Sequence, residues 1–281
     1  MINISLKDNS FSHAYSYGNG DLNILSKYIK WDRINIHDII FYTDSFFNSD
    51  DPYKYSYKTN IAWIHEPKSI RNHLYDINSI DWSKFDYVLS HNINFIDQLN
   101  NTGKVKALWC AAGGCWIYEE DRKIYNKSKN LSIIASVKRM THGHKLRHKI
   151  IELYKEEFCE IAGNGYNSIA YKLSALKDYR FSVIIENDNS DGNFTEKLID
   201  CLITGTIPIY YGTKNIGTYF DLNGFILINS PEEFGNIISL LNEDYYNSKI
   251  NSIKNNFELA HQYVNTEDSI YNLYKDVIFN V

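Results

Sequence analysis

Two textures of apolar residues alternate along the chain. Short unbroken runs bounded by turn formers predict buried strands, and recurrence every three or four positions predicts helices packed on a core. In the first half, strands are predicted at residues 1–8 (M-I-N-I-S-L-K-D), 38–44 (D-I-I-F-Y-T-D), 60–65 (N-I-A-W-I-H) and 85–91 (F-D-Y-V-L-S-H). Helices are predicted at residues 69–77 (S-I-R-N-H-L-Y-D-I) and 94–100 (N-F-I-D-Q-L-N). After A-A-G-G-C-W-I the charged stretch E-E-D-R-K-I-Y-N-K-S-K-N breaks the periodicity, so residues 118–130 are expected to form a linker.

The alternation then resumes. Residues 131–137 (L-S-I-I-A-S-V) predict a strand, K-L-R-H-K-I-I-E-L-Y-K-E-E-F a helix, and E-I-A-G a strand before the turn G-N-G-Y-N. Further strands are predicted at 181–186 (F-S-V-I-I-E), 206–212 (T-I-P-I-Y-Y-G) and 225–229 (F-I-L-I-N), with a helix over 195–204. Ser230-Pro231-Glu232-Glu233 has the N-cap serine, N1 proline and N3 glutamate of a helix start, and the last forty or so residues read as helical. Short apolar strands alternating with helices imply an α/β protein with doubly wound parallel sheets. Two such domains are expected, residues 1–125 and 130–281, with a cleft between them.

Composition narrows the function classes. The 281 residues, 44% of them hydrophobic, suffice for two cores. A net charge of −5 argues against general nucleic-acid binding, which draws most of its affinity from a basic surface. No apolar run approaches the roughly 20 residues of a membrane span, and the start lacks the apolar core of a signal peptide; a cytoplasmic protein is expected. Cys110, Cys115, Cys159 and Cys201 form no C-x-x-C pair and are expected to be buried, reduced thiols.

Ligands of open α/β sheets bind where loops leave the carboxyl ends of strands, and two loops there are chemically unusual. Residues 138–149 (K-R-M-T-H-G-H-K-L-R-H-K) are the most basic stretch of an acidic chain, lying between a strand and a helix. A solvated face is one reading. The other is an anion site, because the helix N-terminus offers free backbone donors and Arg147 adds a planar fork suited to phosphate oxygens. His142, His144 and His148 have no nearby cysteine or carboxylate to complete a zinc set, so no metal is expected. The second loop, residues 186–197 (E-N-D-N-S-D-G-N-F-T-E-K), opens a helix with Lys197 in its first turn, where the macrodipole disfavours a cation. Asn193 as cap with Glu196 at the third position would explain Glu196 but not Lys197. A diphosphate held between the two loops would explain the lysine.

Y-R-F-S-V-I-I-E-N, N-F-T-E-K-L-I-D and G-T-I-P-I-Y-Y-G, in that order over residues 179–212, resemble the signature of the α1,3-fucosyltransferases, glycosyltransferase family ten. I-I-A-S-V-K-R and H-K-L-R-H-K-I-I upstream are similar to the family's strand and arginine-bearing helix. In the first half only W-I-H-E-P (residues 63–67) matches. The resemblance implies a GT-B fold of two Rossmann-like domains, an acceptor-side domain at residues 1–125 and a nucleotide-sugar-binding domain at 130–281. It implies inverting transfer of a sugar, fucose from GDP-fucose, to a glycan hydroxyl without metal or other cofactor. By the same resemblance Arg147 and Lys197 hold the donor pyrophosphate, Glu196 and Asn187 contact its ribose or sugar, and Glu66 is the base. Ser136, Lys138, Glu186, Asn193 and Thr195 complete the expected donor set. For Glu66 the residues alone leave a surface carboxylate as the alternative.

Two positions depart from the family pattern: Asn193 stands where a tyrosine is usual, and Ser136-Val137 where serine-asparagine is usual. Both are expected beside the donor, which leaves open another nucleotide sugar, or a binding module without catalysis. A metal-dependent transferase would need an aspartate pair such as Asp50-Asp51 or Asp188-x-x-Asp191, and neither follows a convincing strand.

Overall fold

The computed structural model describes residues 1–8 and 25–280; residues 9–24 and 281 of the two predicted domains lie outside them. The chain forms two compact units. One contains residues 1–114, 190–193 and 263–281, and the other residues 115–189 and 194–262.

In the first unit the described strands are β1 (Ile2–Lys7), β2 (Ile29–Asp32), β3 (Ile39–Thr43), β4 (Thr59–Trp63), β5 (Tyr87–Ser90) and β6 (Lys106–Trp109). They pair in parallel in the order β2-β1-β3-β4-β5-β6. Every residue of β3 is buried, as expected of a strand covered on both faces. Its first described helices are the single turn α1 (Asp51–Lys54) and α2 (Ile93–Asn101), whose Asn92 cap accepts from the Phe95 N–H. Residues 69–77 do not form the predicted helix. They make a 3-10 turn, Asn72–Tyr75, in which only Leu74 and Tyr75 are buried. The Tyr75 hydroxyl donates to the Glu66 carbonyl at 2.8 Å, folding the segment back on its own start.

Strands β2 and β6 escaped the sequence reading because each is four residues long and carries a lysine. The described residues 190–193 join this unit through Ile93 N–H donating to the Asp191 carbonyl (3.0 Å) and Trp109 Nε1 to that of Gly192 (3.2 Å).

The second unit holds β7 (Lys129–Ile134), β8 (Glu160–Ala162), β9 (Tyr179–Ile185), β10 (Ile207–Tyr211) and β11 (Ile226–Leu227), parallel in the order β11-β10-β9-β7-β8. Helices α3 (His142–Tyr154), α4 (Glu196–Leu202), α5 (Pro231–Ile237), α6 (Glu243–Ser248) and α7 (Ile250–Ala260) accompany it. Ile133, Ile150, Phe181, Ile209 and Phe234, all fully buried, anchor its core. The Ser230 cap and N1 proline of α5 form as predicted. Residues 118–130 are no loose tether: Lys127 Nζ donates to the carbonyls of Leu176, Lys177 and Thr204 at 2.8–3.2 Å, and β7 already begins at Lys129.

The final helix α8 (Thr266–Tyr274) belongs to the first unit rather than to the domain predicted at 130–281. Its Ile270 packs with Ile4, Trp31 and Phe41, and Glu267 accepts from Trp31 Nε1 at 3.0 Å. A helical period reveals that a face is buried, not which core covers it. Among the described residues no helix is long and apolar enough to cross a membrane. Cys110, Cys115 and Cys201 are buried free thiols, whereas Cys159 is exposed, contrary to expectation.

Candidate functional site

In the second unit, chain order and spatial order part company between β7 and β9. After β7 the chain goes through α3 to β8 on one side, then crosses to β9 on the other. The carboxyl ends of β7 and β9 therefore diverge into loops running opposite ways, which leaves a crevice between them. A cavity of about 280 Å³ lies there, lined by Ile134, Ala135 and Ser136 from β7 and its loop, and by Val183, Ile184 and Ile185 from β9. Its charged lining is Arg147, Lys172, Glu196, Lys197 and Asp200.

Helix α3 brings Arg147 to this place. Thr141 caps it in a reciprocal box: its hydroxyl accepts from the His144 N–H at 3.2 Å, and His144 Nδ1 accepts from the Thr141 N–H at 3.2 Å. Gly143 then lets the helix touch the end of β9, since a β-carbon there would lie 1.8 Å from the Glu186 carbonyl oxygen. One turn on, Arg147 is 6% exposed. Its Nη2 donates to the Ile185 carbonyl (2.9 Å) and Asn187 Oδ1 (3.1 Å). Among the described residues its Nε is buried without a hydrogen-bond partner. A buried donor left unpaired costs free energy, and here it belongs to a guanidinium lining a cavity.

The β9–α4 loop is closed by Glu186, which is fully buried. Its carboxylate accepts from the Thr195 N–H (2.9 Å), the Thr195 hydroxyl (2.7 Å) and Lys197 Nζ (3.4 Å). A buried carboxylate is tolerated when its lone pairs are taken up in this way. Helix α4 starts two residues later than Asn193 as cap would require: Thr195 is the N-cap, and Glu196 is the first helical residue. Asn193 instead lies in the 190–193 segment of the first unit, its N–H donating to the Ser190 carbonyl at 3.0 Å.

The lysine in the first turn is thus already compensated. Lys197 Nζ sits 3.4 Å from both Glu186 Oε2 and Glu196 Oε1 and donates to Thr195 Oγ1 at 2.9 Å. Three cations (Arg147, Lys172, Lys197) face three carboxylates (Glu186, Glu196, Asp200), so the cluster is formally neutral.

Its potential is not uniform. Burial works against the Glu196 charge, yet Lys197 and Lys172 hold its carboxyl down at about 2. At the amino end of α3 the field is positive. His144 is pushed down to about 4, first by burial and then by Arg147, Lys138, Lys197 and His148. A neutral ring is what the capping box needs, because its Nδ1 must accept. His148 is bonded at both ring nitrogens, to the Tyr166 hydroxyl (2.8 Å) and the Lys138 carbonyl (3.0 Å). Among the described residues no group of three or more histidines, cysteines or acids is placed to hold a metal ion.

Ser136, Arg147, Glu196 and Lys197 come together in the cavity wall, with Glu186, Asn187 and Thr195 bonded to them from behind. Lys138 is exposed, lies outside the lining and contributes its carbonyl to His148. Glu66 follows β4 in the first unit, half-buried. Lys172 and Asp200 went unnoticed in the sequence. Asp200 is signalled by its spacing, four residues and one turn after Glu196, whereas Lys172 sits in a 3-10 turn with no periodic pattern.

No protein-family model matches the chain. Over 77 residues, 27% of this chain and 16% of the relative, it is 32% identical to the alpha-(1,3)-fucosyltransferase FucT of Helicobacter pylori. Over 45 residues, 16% of this chain and 9% of the relative, it is 42% identical to a putative fucosyltransferase-like protein of Arabidopsis thaliana. A crystal structure of an α1,3-fucosyltransferase with GDP superimposes with a TM-score of 0.51 at 14% identity, covering 93% of this chain and 89% of that one. Fold and local sequence thus both point to similarity with the α1,3-fucosyltransferases. A second such structure, with GDP-fucose, gives a TM-score of 0.50 at 15% identity over 93% and 90% of the two chains. The fold is therefore the GT-B fold of the fucosyltransferases. Their sequence similarity to this chain is local, spanning less than a fifth of either curated relative's length. Of the two departures from the fucosyltransferase pattern, Val137 is exposed beside the cavity-lining Ser136, and Asn193 is buried.

Proposed function

We propose that the protein is an inverting glycosyltransferase that moves fucose from GDP-fucose to a glycan hydroxyl. The observation that carries this reading is Arg147: a buried guanidinium with an unpaired Nε, in a cavity wall at the strand-order switch, beside Lys197. A diphosphate would give Nε its partner and would draw Lys197 Nζ from its 3.4 Å contact with Glu186. Glu186 would keep the two hydrogen bonds from Thr195 when that happens. Preorganised cations of this kind stabilise the charge that develops on a leaving nucleoside diphosphate.

In the reaction the acceptor oxygen bonds to the anomeric carbon as the bond from that carbon to the diphosphate oxygen breaks. The electron pair leaves with GDP. Glu66 is the carboxylate proposed to take the acceptor's proton. Ser136 and Asn187 are proposed as further donor contacts, with Glu196 accepting from donor hydroxyls. Asn193 and Val137, where the family pattern has tyrosine and asparagine, favour a second reading with a different sugar on the nucleotide.

Calorimetry with GDP tests the site. The wild type is expected to bind, and Arg147→Ala to bind about a hundredfold more weakly. Equal affinities would overturn the phosphate role of Arg147. Release of GDP from GDP-fucose tests the chemistry, and binding without any turnover would leave a nucleotide-binding module instead. A panel of nucleotide sugars, each scored by its rise in melting temperature, separates fucose from the alternatives.

A further inference from the structure

One side chain in the cavity wall ties together groups that would otherwise push apart. Glu196 and Asp200 stand four residues apart on α4, and like charges at that spacing repel. Lys172, reaching in from the crossing segment between β8 and β9, lies between them. Its Nζ is 3.0 Å from Asp200 Oδ2 and 3.6 Å from Glu196 Oε1. The ammonium sits over the Trp116 ring, 5.2 Å from its centroid, and the Trp116 N–H donates to Asp200 Oδ1 at 2.6 Å. Asp200 is therefore fixed on both oxygens and 1% exposed, whereas Glu196 keeps a quarter of its side chain open.

The three residues differ in what they can do. Asp200 accepts from the Trp116 N–H on one oxygen and from Lys172 on the other. Glu196 Oε1 is held by two lysines, with Lys172 on one side and Lys197 on the other. A carboxylate fixed in this way is an acceptor-only group of set direction, the geometry that recognises a pair of hydroxyls.

We propose that Lys172 is a positioning residue that sets the Glu196 carboxylate for the hydroxyl-bearing part of the donor, apart from the residues that hold its phosphates. This rests on the nucleotide-sugar reading above. The consequence is a division of labour. Arg147 and Lys197 take the phosphates whether or not Lys172 is present, and Lys172 matters only to a ligand that carries sugar hydroxyls.

Titration calorimetry of the full chain with two probes, GDP and inorganic pyrophosphate, separates these parts. Lys172→Met is expected to weaken GDP about tenfold and to leave pyrophosphate within about twofold. Because the methionine strands Asp200 in a buried place, Lys172→Met/Asp200→Asn is measured beside it, which removes both charges and keeps an acceptor for the Trp116 N–H. The double variant is expected to show the same loss for GDP, since Glu196 still lacks Lys172 and keeps only Lys197. Lys172→Arg, which restores the cation, is expected to recover most of the affinity. If the double variant binds GDP as the wild type does, Lys172 serves only as counter-ion to Asp200 and the inference falls. Equal losses for GDP and pyrophosphate also overturn it. A wild type that binds neither probe sinks the nucleotide-sugar reading itself, a result distinct from both.

Discussion

The two sheets share one topology and use it differently. In each, the second strand in the chain lies outside the first, and the third lies on the first strand's other flank: β2-β1-β3 in one unit, β8-β7-β9 in the other. At the β7/β9 junction the carboxyl ends bear a balanced set of cations and carboxylates around a cavity. The first unit's strand ends bear Asp44 after β3, His65 and Glu66 after β4, and His91 after β5. There the Tyr75 hydroxyl links the Glu66 carbonyl to His91 Nε2, 3.1 Å away. Among the described residues Asp44 Oδ1 is buried without a hydrogen-bond partner, and burial, more than any neighbour, raises its carboxyl above the ordinary range. One junction gathers balanced cations and carboxylates around a cavity, and the other gathers acids and imidazoles. A shared strand order fixes where a site can be, and the side chains at the strand ends fix what it does.

The sharpest way to break this comparison is Glu66→Gln. If the first unit supplies the base, turnover should drop about a thousandfold while calorimetric GDP affinity stays within about twofold; a fully active variant would refute the assignment. Gly143→Ala strikes the other junction, forcing a methyl onto the Glu186 carbonyl. Chemical denaturation should show a loss of about 3 kcal/mol, and an unchanged midpoint would mean that α3 does not need its close approach to β9.

A smaller effect is expected from Thr195→Val, which removes the α4 cap and one of the hydrogen bonds to Glu186, for about 1 kcal/mol. The finest test is of pH. His144 is neutral in the fold and titrates at about 4, below its ordinary 6.5, so the unfolded chain takes up its proton first. Its contribution to stability is complete above pH 6.5 and is lost as pH falls towards 4. His144→Gln keeps a side-chain acceptor at the third helical position and should flatten the acid slope of melting temperature across that window. A slope as steep as the wild type's would place its cause elsewhere.

Much of this was legible in the residues. The strands β3 and β10, buried throughout, and β9, buried but for Arg180, announced a doubly wound fold, because a strand covered on both faces leaves a nearly unbroken apolar run. Lys197 stood out by breaking a local rule at a helix start, and Arg147 by its place in a basic stretch between a strand and a helix. What escaped depends on distance in the chain. Lys197 looked uncompensated because Glu186, its partner, is eleven residues away across a loop. The helix α8 gave no sign that its core is formed with β1 and β2, more than 230 residues earlier, since periodicity carries no address. Asn193 looked like a cap from its type alone, and Thr195 won because its hydroxyl could serve the helix and Glu186 at once.

The bare backbone at position 143 also offers a means of recognition. Gly143 and Arg147 are four residues apart, so one face of α3 presents first an absence and then a guanidinium to the strand beside it. In chains too divergent to align by overall identity, T-x-G-x-x-x-R soon after an apolar strand, paired with a later strand ending in glutamate, is a fingerprint dictated by contact distance rather than by ancestry.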